Sequence, residues 1–184
     1  ADARGHLAAI VSSAFARPRT NAAVTCEEPR GSTRKLAASG IAFANLEAGR
    51  VGIDLRRLDV WEVLSTVEPL VAPLAEGKGV AYSIEACDPA LRVVADEERM
   101  RQVLLNLVTN GIKFTPAGGW VRLDCDADGE WVYVRVRDNG PGISPDKQQA
   151  IFDPFTQVAR RYDRPQEGVG LGLAISRQLA RGMG

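Results

Sequence analysis

The run "WVRLDCDADGEWVYVRVRD", residues 120–138, constrains the chain most. In its second half Val132, Val134 and Val136 alternate with Trp131, Tyr133, Arg135 and Arg137, the period of a strand whose side chains point to two faces in turn. Asp128–Gly129, between the halves, is a tight hairpin turn dipeptide. A hairpin with one apolar face must bury that face, so the fold has to contain a sheet covered on one side. Asp138 falls in phase with the valines and stands at the start of "DNGPGI". A carboxylate on the covered face needs a partner, because burying it unpaired is costly. Asp also suits turns, so Asp138 reads either as a solvated strand end or as a group held for something else.

The helices and further strands follow from period and punctuation. Residues 97–114 are the most periodic helix, with Met100, Leu104, Leu107 and Val108 on one side. "VGIDLRRLDV" predicts a short strand running into a helix with Asp59 as its N-cap. "WEVLSTVEPLVAPLAEGKG" continues that helix to a stop near Gly77–Gly79. "VAYSIEA" and "LRVVAD" predict short strands. Residues 145–151 predict a short helix, 153–169 a polar loop, and 171–182 a last helix with Leu171, Ile175 and Leu179 stacked. Residues 1–50 predict two helices: Leu7, Ile10, Val11 and Ala14 mark the first, and Ala37, Ile41, Ala44 and Ala48 the second, with Gly49 as its C-cap. That second seam is made of small residues, so dimerisation into a four-helix bundle is expected to complete it. The whole is expected to be α+β: a two-helix hairpin over 1–50, then, over 51–184, a sandwich of one mixed sheet and one helical layer.

Charge narrows the partners. Lys and Arg number 23, as do Asp and Glu, so nothing points to nucleic acid or an anionic membrane. No apolar run approaches the ~20 residues of a membrane-spanning helix, and no membrane contact is expected. Cys26, Cys87 and Cys125 lack metal-site spacing and fit free thiols in a reducing cytoplasm. A start without Met and an end on "RGMG" fit a piece of a longer chain.

Three features carry chemistry. On the helix at 97–114, Gln102, Asn106, Asn110 and Lys113 form one stripe at steps of 4, 4 and 3. Solvated helix faces use Glu, Lys and Arg, whereas Asn is a poor helix former. An amide oxygen is a neutral, hard ligand for Mg²⁺, and a lysine one turn on can meet phosphate. "GVGLGLAIS", Gly168 to Ser176, opens the last helix, whose unpaired N–H groups and partial positive charge suit phosphate. The polar loop before it, with "RRYDRPQEG", suits a lid. A site for a base and phosphates then gives Asp138 a partner in the exocyclic amine of adenine, with Gly140 and Gly142 keeping the wall thin.

Together and in this order, these segments resemble the ATP-binding domain of bacterial sensor histidine kinases, within the superfamily of gyrase-type ATPases, Hsp90-type chaperones and mismatch-repair ATPases. "NLVTNGIKFTP" looks like the family's N box, "DNGPGI" its first glycine box, "IFDPFTQ" its phenylalanine box and "GVGLGLAIS" its second glycine box; the match spans 51–182. The resemblance implies ATP and Mg²⁺ as ligands. It implies that Asn110 chelates the metal, Asn106 and Lys113 face the phosphates, and Asp138 binds adenine beside Ile143. Gly140, Gly142, Gly168, Gly170, Leu171 and Gly172 would shape the lid and phosphate loop, and Phe152 and Phe155 would anchor the lid. It further implies phosphoryl transfer to a histidine and then to the receiver domain of a response regulator.

Residues 1–50 resemble the family's dimerisation and phosphoacceptor hairpin, ending in "LEAGR". The family's acceptor motif reads His-Glu/Asp-Leu-Arg-Thr-Pro-Leu, and this chain reads "ADARGHL". Ala1 stands in the acceptor slot and Asp2 in that of the proton-removing acid. The only histidine, His6, comes five residues late, about 140° round a helix at 100° per residue. Three readings stand open: a degenerate module that binds nucleotide and dimerises without phosphorylating itself, an acceptor removed by engineering or by where the sequence begins, or use of His6. The family also follows "MG" with a strand pair, so either the piece is truncated or an open sheet edge is expected here.

Overall fold

The computed structural model describes residues 6–13, 52–127, 131–156 and 170–183. In chain order these form β1 (His6–Ser13), β2 (Arg56–Asp59), α1 (Val60–Lys78), β3 (Ala81–Ile84), β4 (Arg92–Ala95), α2 (Glu97–Phe114), β5 (Trp120–Ala127), β6 (Trp131–Asp138), two short 3-10 turns (Pro145–Lys147 and Ala150–Phe152) and α3 (Gly172–Met183). The hairpin is the centre of a four-stranded mixed sheet in the order β1-β6-β5-β3. β5 and β6 are antiparallel, β3 lies parallel to β5, and β1 lies parallel to β6. β2 and β4 pair separately as an antiparallel ribbon, Leu58 against Val93.

The alternation read from the sequence is the one that folds. Val132, Val134 and Val136 are buried together with Val121, Leu123 and Cys125 of β5, and the helices cover that face. α1 starts where Asp59 accepts a hydrogen bond from the Glu62 N–H, at 3.2 Å, and ends where Gly79 turns left-handed at φ +68°. It buries Val60, Val63, Leu64, Val67, Val71 and Ala75, one stripe at helical spacing. α2 is capped by Asp96, which accepts from the Arg99 N–H and also, at 2.9 Å, from the Asp54 N–H. At its other end the Lys78 ammonium donates to the carbonyls of Ile112 and Lys113, two of the acceptors a helix end leaves unpaired. α2 is therefore held at both ends, and its polar stripe is fixed in place.

Two expectations need correction. The first helix of residues 1–50 is a strand over 6–13, paired with β6 from His6 opposite Trp131 to Ser13 opposite Asp138. Eight residues that can add a strand to a sheet gain a full ladder of backbone bonds, whereas one helix with a small apolar face gains little by itself. The same strand lies along one side of β6 and is itself an edge strand of the sheet among the described residues. The helix at 145–151 is two separate 3-10 turns, broken at Gln148–Gln149. Asp2, the acceptor slot at Ala1, the seam from Ala37 to Ala48, Gly49, Cys26, the turn at Asp128–Gly129 and Gly168 lie outside the described residues. Cys87 and Cys125 are free thiols.

Candidate functional site

The polar stripe of α2 is where three distant segments meet. Gly111, in the same turn as Asn110, faces the end of β6: a Cβ there would lie 3.7 Å from the Cβ of Asp138. Gly140 packs on the C-terminus of the helix, where its Cβ would lie 3.3 Å from the Phe114 carbonyl oxygen. Gly172, the first residue of α3, abuts Asn106. The N-terminus of α3, the end of β6 and the first glycine run thus converge on one side of one helix.

Asp138 is buried, with 5% of its surface exposed. Burial pushes its pKa up, and the hydrogen bond it accepts from the Gly140 N–H, at 2.8 Å, pulls the other way and only partly offsets this. No cation pairs with it among the described residues, so it is a carboxylate with spare accepting capacity. A side chain at position 140 would disturb this arrangement: an added Cβ would sit 2.8 Å from the Asp138 Oδ1, so the carboxylate would have to shift. Gly142 has φ +70°, and Ile143 packs partly buried against the core.

Asn110 is fully buried, and among the described residues neither its Oδ1 nor its Nδ2 has a hydrogen-bond partner. The Lys113 Nζ, one turn on, is buried and unpartnered as well, 5.1 Å from the centre of the Phe114 ring. Buried polar groups are almost always paired, so two adjacent side chains in this condition mark a place built for something besides the chain. The stripe is not a solvated face. Asn106 behaves differently: its Nδ2 donates to the Gly172 carbonyl at 2.8 Å and to the Ser176 Oγ at 3.0 Å. Its amide N–H groups hold the first turn of α3, and the expectation that Asn106 faces phosphate rests with its Oδ1.

The ends of the loop before α3 are closed on each other. The Phe155 N–H donates to the Gly170 carbonyl at 3.0 Å. Gly170 has φ +72°, and a Cβ there would lie 2.9 Å from the Phe155 carbonyl carbon and the Thr156 oxygen, so no other residue fits. Leu171 is buried. Phe152 is half-buried, with the Arg177 guanidinium 5.6 Å from its ring centre. Phe155 is 65% exposed at φ 63°, and its hold on the Gly170 carbonyl is through its backbone.

Residues that sequence reasoning missed are Ser176, buried on α3, and Thr115, whose buried Oγ1 has no partner among the described residues. Gly111 was also passed over, although a glycine in mid-helix costs about 1 kcal/mol against Ala and so signals a close approach. Its Cβ would lie 3.2 Å from both Val121 methyls.

Among the described residues no group of three or more His, Cys, Asp or Glu could hold a metal. Mg²⁺ accepts few protein ligands and takes the rest from phosphate and water. An unpartnered amide oxygen on Asn110 fits that demand. No helix of the described residues is long and apolar enough to cross a membrane.

Residues 95–184 match the family described as histidine kinase-, DNA gyrase B-, and HSP90-like ATPase. A sensor-like histidine kinase of Rhizobium meliloti (strain 1021) is 36% identical over 75% of this chain and 26% of its own length. The chain thus spans about a quarter of that relative. Full-length ShkA, solved in complex with AMPPNP, matches with a TM-score of 0.70 and 38% identity over 80% of this chain and 31% of that one. The histidine kinase ThkA, solved in complex with the response regulator protein TrrA, matches with a TM-score of 0.57 and 25% identity over 68% of this chain and 38% of that one.

Proposed function

The chain belongs, through residues 95–184, to the histidine kinase-, DNA gyrase B-, and HSP90-like ATPases, and on that premise we propose that it is the Mg-ATP-binding part of a two-component sensor kinase. The observation that carries the reading is the Asn110 amide and the Lys113 Nζ, both buried and without a hydrogen-bond partner among the described residues, on the helix that packs against the buried Asp138. The AMPPNP bound by ShkA supports it.

Each group has a role that its surroundings allow. Asp138 accepts the exocyclic amine of adenine, while Gly140, Gly142 and Ile143 form the wall along the base. The Asn110 Oδ1 is the metal ligand, and Lys113 brings its charge to the phosphates. Bound Mg²⁺ would supply neutralisation of charge on the phosphate oxygens. Gly170, Leu171 and Gly172 lead the chain into the positive end of α3, which suits phosphate, and Gly168 is assigned to the same phosphate loop from its place in the sequence. Phe152 and Phe155 are assigned the anchoring of the lid. In the whole protein the γ-phosphoryl would pass to a histidine and then to a response regulator's receiver domain, as the ThkA complex with TrrA suggests by analogy. ATP as substrate places the work in the cytoplasm.

A second reading, nucleotide binding without autophosphorylation, has one observation in its favour. His6, the chain's only histidine, opens an eight-residue strand in register with β6, where the helical acceptor of the family would not be formed. We therefore assign no acceptor role to His6, and Asp2 has a role only if an acceptor stands beside it. Dimerisation through residues 1–50 belongs to this proposal only insofar as the seam from Ala37 to Ala48 supplies it.

Titration calorimetry with AMPPNP, with and without Mg²⁺, tests the reading. Binding that Mg²⁺ strengthens is expected; no binding to the folded chain would overturn it.

A further inference from the structure

Ser176 is a polar side chain in an apolar setting. It lies on the buried stripe of α3 with Leu173, Ala174, Ile175 and Leu179, and only 4% of it is exposed. Alanine would fill that position at no desolvation cost, so the hydroxyl calls for a reason. Its partner is the Asn106 amide, which donates one N–H to the Ser176 Oγ at 3.0 Å and another to the Gly172 carbonyl at 2.8 Å. Gly172 is part of the same seat. A Cβ there would lie 3.3 Å from the Asn106 Oδ1 and 3.4 Å from its Nδ2, so the amide lies flat against the glycine's Cα.

An asparagine amide has two donors on its nitrogen and none on its oxygen. With both donors committed to α3, the flip of the Asn106 amide is fixed and its oxygen is the end left to accept. The same two bonds tie the first turn of α3, and with it the second glycine run, to the helix that carries Asn110 and Lys113. We propose that Ser176 is a positioning residue: it locks the Asn106 amide and thereby sets the first turn of α3 for the phosphate end of the ligand, without touching the ligand itself. This rests on the nucleotide reading above. The base end, at Asp138, is held by other contacts and does not depend on Ser176.

The test compares ligands that share a base and differ in phosphates. In wild-type chain, Mg-AMPPNP and adenosine are both titrated calorimetrically, then again with Ser176→Ala and Ser176→Thr. Ser176→Ala is expected to weaken Mg-AMPPNP about tenfold, the size of one buried hydrogen bond, and to leave adenosine within about twofold. Ser176→Thr, which keeps the hydroxyl, is expected to retain most of the Mg-AMPPNP affinity. In ¹⁵N spectra of the ligand-free chain, the Asn106 side-chain amide protons should exchange slowly in wild type and rapidly in Ser176→Ala. Equal weakening of both ligands in Ser176→Ala, or no change in either, overturns the positioning role. Unchanged amide exchange overturns it too, without reference to nucleotide. A folded wild-type chain with slow amide exchange that binds neither ligand overturns the nucleotide reading and the ligand-directed half of this proposal together.

Discussion

Two aspartates on the same hairpin are both buried and are treated in opposite ways. Asp124, on β5, lies on the face away from the helices, with 9% of its surface exposed. It accepts from Arg135 at 2.9 Å and from the Arg137 Nε at 3.1 Å, and Arg135 goes on to Asp126 at 2.9 Å. Asp138, on β6, lies on the helix-covered face and has one neutral N–H for company. The first carboxylate is answered by the chain's own cations, so its charge is part of the architecture. The second has its burial cost only partly offset, and two other polar side chains without a hydrogen-bond partner among the described residues, Asn110 and Lys113, stand on the helix beside it. Where a fold satisfies a buried charge it is building itself; where it leaves several unsatisfied together it is building a site.

Exchanging the two aspartates for neutral isosteres should separate these roles. The largest effect is expected from Asp138→Asn: adenine-nucleotide affinity should fall on the order of 10- to 100-fold, the worth of a hydrogen bond to a charged acceptor. The ligand-free chain should melt higher, because a buried unpaired charge is gone. Asp124→Asn should do the reverse, lowering stability by about 2 kcal/mol through the lost arginine pairs with nucleotide affinity unchanged. Denaturant melts and calorimetry on both variants check this, and parallel effects in the two would break the contrast.

Asn110→Ala sharpens the contrast within the site. Its amide should matter for the metal-bound phosphates and not for the base, so Mg-AMPPNP should bind about tenfold more weakly while adenosine is unaffected. Equal losses for both ligands would mean that Asn110 supports the fold.

A smaller effect is expected from pH. The folded-state pKa of Asp138 is raised, so between the ordinary carboxylate value and that raised value the folded chain binds more protons than the unfolded one. Stability of the ligand-free chain should therefore rise as pH falls through the raised pKa and be lost as pH climbs back through it. Nucleotide affinity should move the other way, because a protonated Asp138 offers its O–H where an acceptor is needed. Melts of wild type minus Asp138→Asn across the carboxylate range isolate this residue, since the other carboxylates are common to both. A flat difference would contradict the burial argument.

Much of the site was legible because its signals are local. The phase of Asp138 with Val132, Val134 and Val136 is set by the strand period, and Asn110 and Lys113 lie on one helix at helical spacing. The N-cap at Asp59 and the stop at Gly79 follow from residue chemistry within one turn. What was not legible depends on partners far along the chain. "HLAAIVSS" satisfies a helical spacing and a short apolar run equally well, and its place as a strand is decided by β6, more than a hundred residues on. Asn106 and Asn110 look alike in sequence. Their difference rests on Gly172 and Ser176, 66 and 70 residues away, which engage one amide and leave the other free. The backbone role of Phe155 is another long-range feature: at positive φ its ring is exposed while its N–H reaches the Gly170 carbonyl, fifteen residues on.

The central claim is that the unpaired carboxylate of Asp138 is kept for the exocyclic amine of adenine. Calorimetric titration of ATP and ITP, which differ at that position, with wild type and with Asp138→Asn, measures it. Wild type should prefer ATP by at least about tenfold, as expected when a polar site loses its partner, and Asp138→Asn should lose that preference. Equal affinities for the two nucleotides in wild type, or a preference that survives in Asp138→Asn, would contradict the account.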